Sequence, residues 1–122
     1  MRVFIDFQNK VPHRVYLPDE DKVYRVRDEN LIDFLEITGV NEVYIESAPR
    51  GWIYRLLENN ITVYILRYKN QSKLRKQYGL RKNHSNDARL LHLIYKKIQN
   101  TLESILRDNW ITTKIYRSIF SS

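Results

Sequence analysis

The chain has 122 residues, a formal net charge of +7 and no cysteine. That length suits one compact domain with its own core, and the missing cysteine excludes disulfides and thiolate zinc sites. No apolar run approaches the roughly 18 residues of a membrane span, and the first residues read as a strand and not as a signal peptide. The expectation is a single cytoplasmic domain, residues 1–122, with no membrane partner.

The charge is lopsided. Residues 1–60 hold 8 basic against 11 acidic side chains, and residues 61–122 hold 13 against 3. From Arg67 to Lys97 ten basic residues stand against one acid, Asp87, with Tyr68 and Tyr78 among them. A one-sided basic surface attracts phosphate backbones through Coulomb attraction and counterion release. A solvated, solubilising face is the bland alternative; nucleic-acid binding is the expectation.

In chain order, "RVFIDFQN" reads as a strand, apolar on both faces and therefore central. "HRVYL" and "KVYRV", joined by "PDED", read as a hairpin. "DENLIDFLEI" has Leu31, Phe34 and Leu35 at helical spacing, with Asp28 as the expected N-cap. "EVYIES" is a further strand that closes on a polar pair. "PRGWIYRLLENN" is a helix stopped at Asn60, and "ITVYIL" is another buried-type strand. Beyond Arg67 comes a basic, weakly helical connector broken at Gly79. A helix follows from about Ser85 to Ile98, with Leu91, Ile94 and Ile98 in one stripe. The tail, residues 99–122, reads as a helical extension of one or two amphipathic helices. This order implies an α/β fold with a mixed sheet, an antiparallel three-strand meander extended by parallel strands.

Three acids break the rule that buried faces are apolar. Asp6 stands inside the first strand, and Glu46 at the carboxyl end of the fourth. Asp87 heads the stripe of Leu91, Ile94 and Ile98, with His84 one turn earlier on the same face. Buried carboxylates that gather repel one another, so a cation should collect them. Carboxylate oxygens suit Mg²⁺ or Mn²⁺, and two such ions would activate a water for in-line attack on a phosphodiester. Each residue also has a plain role: Asp6 capping a turn, Glu46 or Asp87 as acids at helix starts, His84 as a surface histidine.

An Asp in the first strand, then a hairpin, "ES" closing a strand, "LLENNITVYIL", a basic segment and "KNHSNDARLL" together resemble the RuvC-like catalytic domain of the DEDD transposases. Lys82, Asn83, Asp87, Ala88 and Arg89 match that family's last motif, and His84 stands where its third acid would be. Some RuvC-type Holliday junction resolvases similarly carry His-x-x-Asp there. The resemblance covers residues 1–98 and does not extend to the transposases' C-terminal domain. It implies a ribonuclease H-like fold with a five-stranded mixed sheet, and a metal-dependent endonuclease acting on DNA, branched DNA included. By the same resemblance Asp6, Glu46, His84 and Asp87 would hold a two-metal Mg²⁺ or Mn²⁺ site, with His84 alternatively assisting the attacking water. Lys69, Lys73, Arg75, Lys76, Arg81 and Lys82 would grip the substrate backbone. RuvC resolvases are dimers, and Trp110, Ile111, Ile115, Tyr116 and Phe120 would supply either a homodimer surface or a core cover.

Two alternatives stay open at this point. "VFIDFQN" is also similar to the opening of NYN and PIN-type ribonucleases, in which case no hairpin should pair 14–18 with 22–26. The His84 substitution also fits a non-catalytic ribonuclease H-like module that only binds nucleic acid.

Overall fold

The structure, a computed structural model, describes residues 1–49, 51–100 and 111–116, with side chains through residue 97. Alternation of strand and helix patterns produces β1 (Arg2–Asp6), β2 (His13–Leu17), β3 (Lys22–Val26), α1 (Asp28–Ile37), β4 (Glu42–Ile45), α2 (Trp52–Glu58), β5 (Thr62–Tyr68), α3 (Gln71–Gln77), α4 (His84–Asn100) and β6 (Ile111–Tyr116). The sheet order is β3-β2-β1-β4-β5-β6. β1, β2 and β3 form an antiparallel meander, while β4 and β5 run parallel to β1. The α/β class and the mixed arrangement of the first five strands are those expected.

The sixth strand corrects the reading of the tail. Ile111–Tyr116, expected to be helical, pairs antiparallel with β5 from Tyr68↔Ile111 to Val63↔Tyr116. Ile111, Thr112, Thr113 and Ile115 are β-branched, which favours a pleated strand over a helix. The outer edge of β5 supplies the free backbone groups that such a strand needs. Residues 101–110 and 117–122 of the expected helical extension, Trp110 and Phe120 among them, lie outside the described residues.

Helices cover both faces of the sheet, and each face has its own core. Val3, Ile5, Val15, Val43, Ile45 and Val63 pack with Leu31 and Leu35 of α1 and Trp52 and Leu56 of α2. Phe4, Tyr16, Tyr44 and Leu66 pack with Leu74 of α3 and with Ala88, Leu90, Leu91 and Ile94 of α4. The split follows from the period of two along a strand. On the α4 face, strand register lines up Tyr16, Phe4, Tyr44 and Tyr64 across four strands. Their rings stack, Phe4 on Tyr44 at 4.9 Å and Tyr44 on Tyr64 at 4.5 Å. His92 and Tyr95 of α4 lie over this row, 5.0 and 5.6 Å from Phe4.

Helix ends are built from local chemistry. Asp28 is the first helical residue of α1 and not its N-cap; Arg27 holds the cap position without a side-chain bond. The Asp28 carboxylate instead binds Nε2 of His13, which is fully buried beside Phe7 and Trp52. His13 Nδ1 accepts the Gln8 N–H at 2.9 Å, tying the β1–β2 turn to the start of α1. α4 is capped by Asn83, whose Oδ1 accepts the Asn86 N–H at 2.7 Å. α3 ends in a Schellman motif: Leu80 N–H reaches the Arg75 carbonyl at 2.8 Å and Gly79 N–H reaches Lys76 at 3.2 Å. Gly79 takes φ +66°, with open space where a Cβ would stand. Gly79→Ala should therefore cost only the backbone penalty, about 1 kcal/mol in a urea titration. An unchanged midpoint would count against this cap.

Candidate metal centre

One pleat beyond the aromatic row, the same face of the sheet turns polar. Asp6 shares the face of Phe4 and is paired in register with Arg14 of β2. Continuing the β1–β4 register brings Glu46 alongside. The first turn of α4 lies over this row. His84 Nδ1 is 3.5 Å from Asp6 Oδ2, and Asp87 completes a group of three whose ligand atoms all lie within 4.8 Å of one another. The helical spacing of 84 and 87 presents both side chains to the strand. Asp6, His84 and Asp87 thus come together as expected.

Glu46 does not join them. It falls one residue past the end of β4 and is exposed, although it is near enough for its charge to act on Asp6. Arg75 also departs from expectation. Lys69, Lys73, Lys76, Arg81 and Lys82 are exposed on and around α3. The Arg75 side chain is only 14% exposed, with Nη2 on Asp87 Oδ1 at 3.0 Å.

Several contributors were not anticipated. Gln8, two residues beyond Asp6 and so of the same strand parity, donates Nε2 to Asp6 Oδ2 at 2.6 Å. Arg14 is buried, donates to the Pro12 carbonyl, and leaves its Nε without a partner. Burial and the neighbouring Arg25 hold its guanidinium below the usual range, while Asp6 opposes them. A lone arginine in the apolar run "HRVYL" was the one sequence signal for it. Asn86 ties the first turn of α4 back to the loop by donating Nδ2 to the Arg81 carbonyl at 2.9 Å.

The carboxyl of Asp6 is raised from an ordinary 3.8 to about 6. Burial is the largest cause and the Asp87 charge the next; His84 and Gln8 pull the other way, and Glu46 adds to the rise. Two partly buried carboxylates facing each other are incompletely neutralised by the protein's own groups, which is the environment a cation relieves. An octahedral Mg²⁺ or Mn²⁺ shell sets adjacent ligands about 3 Å apart and opposite ligands about 4.2 Å apart. The three donors, all within 4.8 Å of one another and two of them 3.5 Å apart, are close to those spacings, so the chemistry of the trio fits one ion. A second ion would have to draw on Glu46, outside the trio. The imidazole in the set suits Mn²⁺ better than Mg²⁺.

Because Asp6 titrates higher in the fold than in the unfolded chain, its effect on stability is absent below about pH 4. The penalty then grows as pH rises through about 6. Asp6→Asn should raise the unfolding free energy at pH 7.5, without divalent ions, by about 1–2 kcal/mol. This is discounted from the full shift because the side chain is 25% exposed. The gain should vanish at pH 4, as measured by urea denaturation at the two pH values. An equal effect at both would contradict the buried carboxylate pair.

No known protein family, curated protein or solved structure matches the chain.

Proposed function

We propose that this protein is a divalent-metal-dependent endonuclease of the RuvC-like class, acting on DNA, with Asp6, His84 and Asp87 as its metal-holding residues. The observation that carries the reading is the convergence of the three donors from β1 and α4, elements far apart in the chain. The order β3-β2-β1-β4-β5, with its meander and parallel extension, is the arrangement a ribonuclease H-like domain requires and supports the reading. The β2–β3 hairpin, His13↔Val26 to Leu17↔Lys22, weighs against a NYN or PIN-type ribonuclease, as does an acid inside α4.

A bound divalent ion would supply Lewis-acid activation of water and neutralise phosphate charge. The protein's own residues do the rest. Asp6, fixed by Gln8, and Asp87, fixed by the capped first turn of α4, present carboxylate oxygens toward one point. His84, whose side chain is 51% exposed, would complete the donor set with an imidazole nitrogen. Lys69, Lys73, Lys76, Arg81 and Lys82 hold the phosphate backbone beside them.

The Arg75–Asp87 ion pair favours one second reading, a nucleic-acid-binding module of the same architecture in which a protein cation stands in for the metal. A cleavage panel separates the two. Four-way junction, flap, single-stranded DNA and RNA are each incubated with Mg²⁺ or Mn²⁺, beside Asp6→Asn. The nuclease reading expects cleavage of at least one DNA substrate, falling to background in Asp6→Asn while binding is nearly unchanged. Retained cleavage in that variant would sink the reading, and no cleavage by the native protein favours the module.

Phosphate contacts are tested separately. Lys76→Ala and Arg81→Ala should each weaken binding about equally across DNA sequences. Each should also flatten the slope of log affinity against log salt by about one. An unchanged slope would remove that residue from the interface.

A further inference from the structure

We propose that Arg75 is a built-in counter-cation that sets the ion affinity of the Asp6–His84–Asp87 group, so that a divalent ion binds there by displacing its guanidinium from Asp87. The inference rests on the metal-site reading above and adds what controls that site.

Arg75 differs from the other cations of α3 and of the loop that follows it. Lys73 and Lys76 on the same short helix are exposed, as are Arg81 and Lys82 in the loop that follows. Arg75 alone turns inward beside the buried Leu74. Its backbone is pinned, because its carbonyl takes the Leu80 N–H that closes the helix. The side chain therefore reaches Asp87 from a fixed root.

The guanidinium is poorly satisfied where it lies. Nη2 binds Asp87 at 3.0 Å and the Gln71 side-chain oxygen at a long 3.4 Å, while Nε is buried with no hydrogen-bond partner. A group with five donor hydrogens that spends so few is held by the carboxylate's charge and not by a network. Such a contact is exchangeable. A divalent ion on Asp87 competes for the same carboxylate and meets a unit positive charge a few ångströms away. Apo protein, with Arg75 docked, is neutralised in part; the loaded protein has Arg75 released.

The test measures ion binding directly, without a substrate. Mn²⁺ uptake is followed by the electron paramagnetic resonance of free Mn²⁺ in the native protein and in Arg75→Gln. The variant should bind Mn²⁺ at least about tenfold more tightly. In an Asp87→Asn background the same substitution should change affinity less than about twofold, because the contact is already gone. Equal or weaker binding by Arg75→Gln, with native binding intact, overturns the role of Arg75 and leaves the metal site standing. Failure of both proteins to take up Mn²⁺ at millimolar concentration overturns the metal site and this inference with it. Should Arg75→Gln not fold, the native protein decides: saturating diamagnetic Mg²⁺ should shift the Arg75 Nε–H nuclear magnetic resonance signal. Mg²⁺ binding that leaves that signal unmoved overturns the proposal.

Discussion

Asp6 and Asp87 face each other at the line where the sheet's aromatic row gives way to a polar one, and the neighbourhood is organised around that repulsion. Strand register sets Asp6 one pleat beyond Phe4, and helical spacing sets Asp87 one turn before Leu91. The surroundings answer with Gln8 on Asp6, His84 near it and Arg75 on Asp87. The answer is incomplete, since Asp6 is still raised to about 6. Asp21 is a useful contrast. On the surface, bound by the Tyr16 hydroxyl and by Arg89, its carboxyl is held below the usual range. The same side-chain chemistry moves in opposite directions because one acid meets water and full partners and the other is partly buried beside a second acid.

α4 does two jobs along one face. Its first turn carries His84 and Asp87 over the polar row, and the following turns lay Ala88, Leu91, His92, Ile94 and Tyr95 over the aromatic one. The two histidines on this helix are separated by environment. Burial over Phe4 and Tyr16, helped by Lys96, pushes His92 down to about 4, so it is neutral at physiological pH and behaves as another ring of the core. His84 is half exposed and lies 3.5 Å from the Asp6 carboxylate. His13 takes a third role, a buried clasp between a turn and a helix start. Residue type alone therefore says little about histidine function here; depth in the fold decides it.

The parts of the fold and site that were legible in the sequence are those fixed by a period. The run "VFIDF", apolar on both faces, put Asp6 inside the sheet, the stripe from Asp87 to Ile94 put that acid against the sheet, and "PDED" between two β-rich runs made the hairpin. What was not legible depends on contacts between distant segments. α3 has one buried apolar residue, Leu74, so no stripe indicated which of its cations turns inward. Glu46 reads as the carboxyl end of the fourth strand, but β4 ends a residue before it and the side chain is left in solvent. Asp28 looked like a cap because its true partner, His13, comes from a different part of the chain. In the tail, the β-branched run of β6 sits among helix formers, and only the open edge of β5 settles its conformation.

The charge distribution follows from the same competition. The half of the chain that carries α3 and α4 is strongly basic, yet its one acid from Arg67 to Lys97, Asp87, meets Asp6 from the other half. In the proposed function the exposed lysines and arginines would dominate at long range and attract a polyanion. At contact distance the sign reverses, since a phosphodiester above Asp6 and Asp87 meets two carboxylates of its own charge. A cation between phosphate and carboxylates removes that barrier, and each anion then strengthens the binding of the cation they share. Arg75 is already on one of those carboxylates, and on the proposal above it is the group such a cation would displace. In the proposed function, occupancy of the acidic centre and grip on a nucleic acid would be linked by charge.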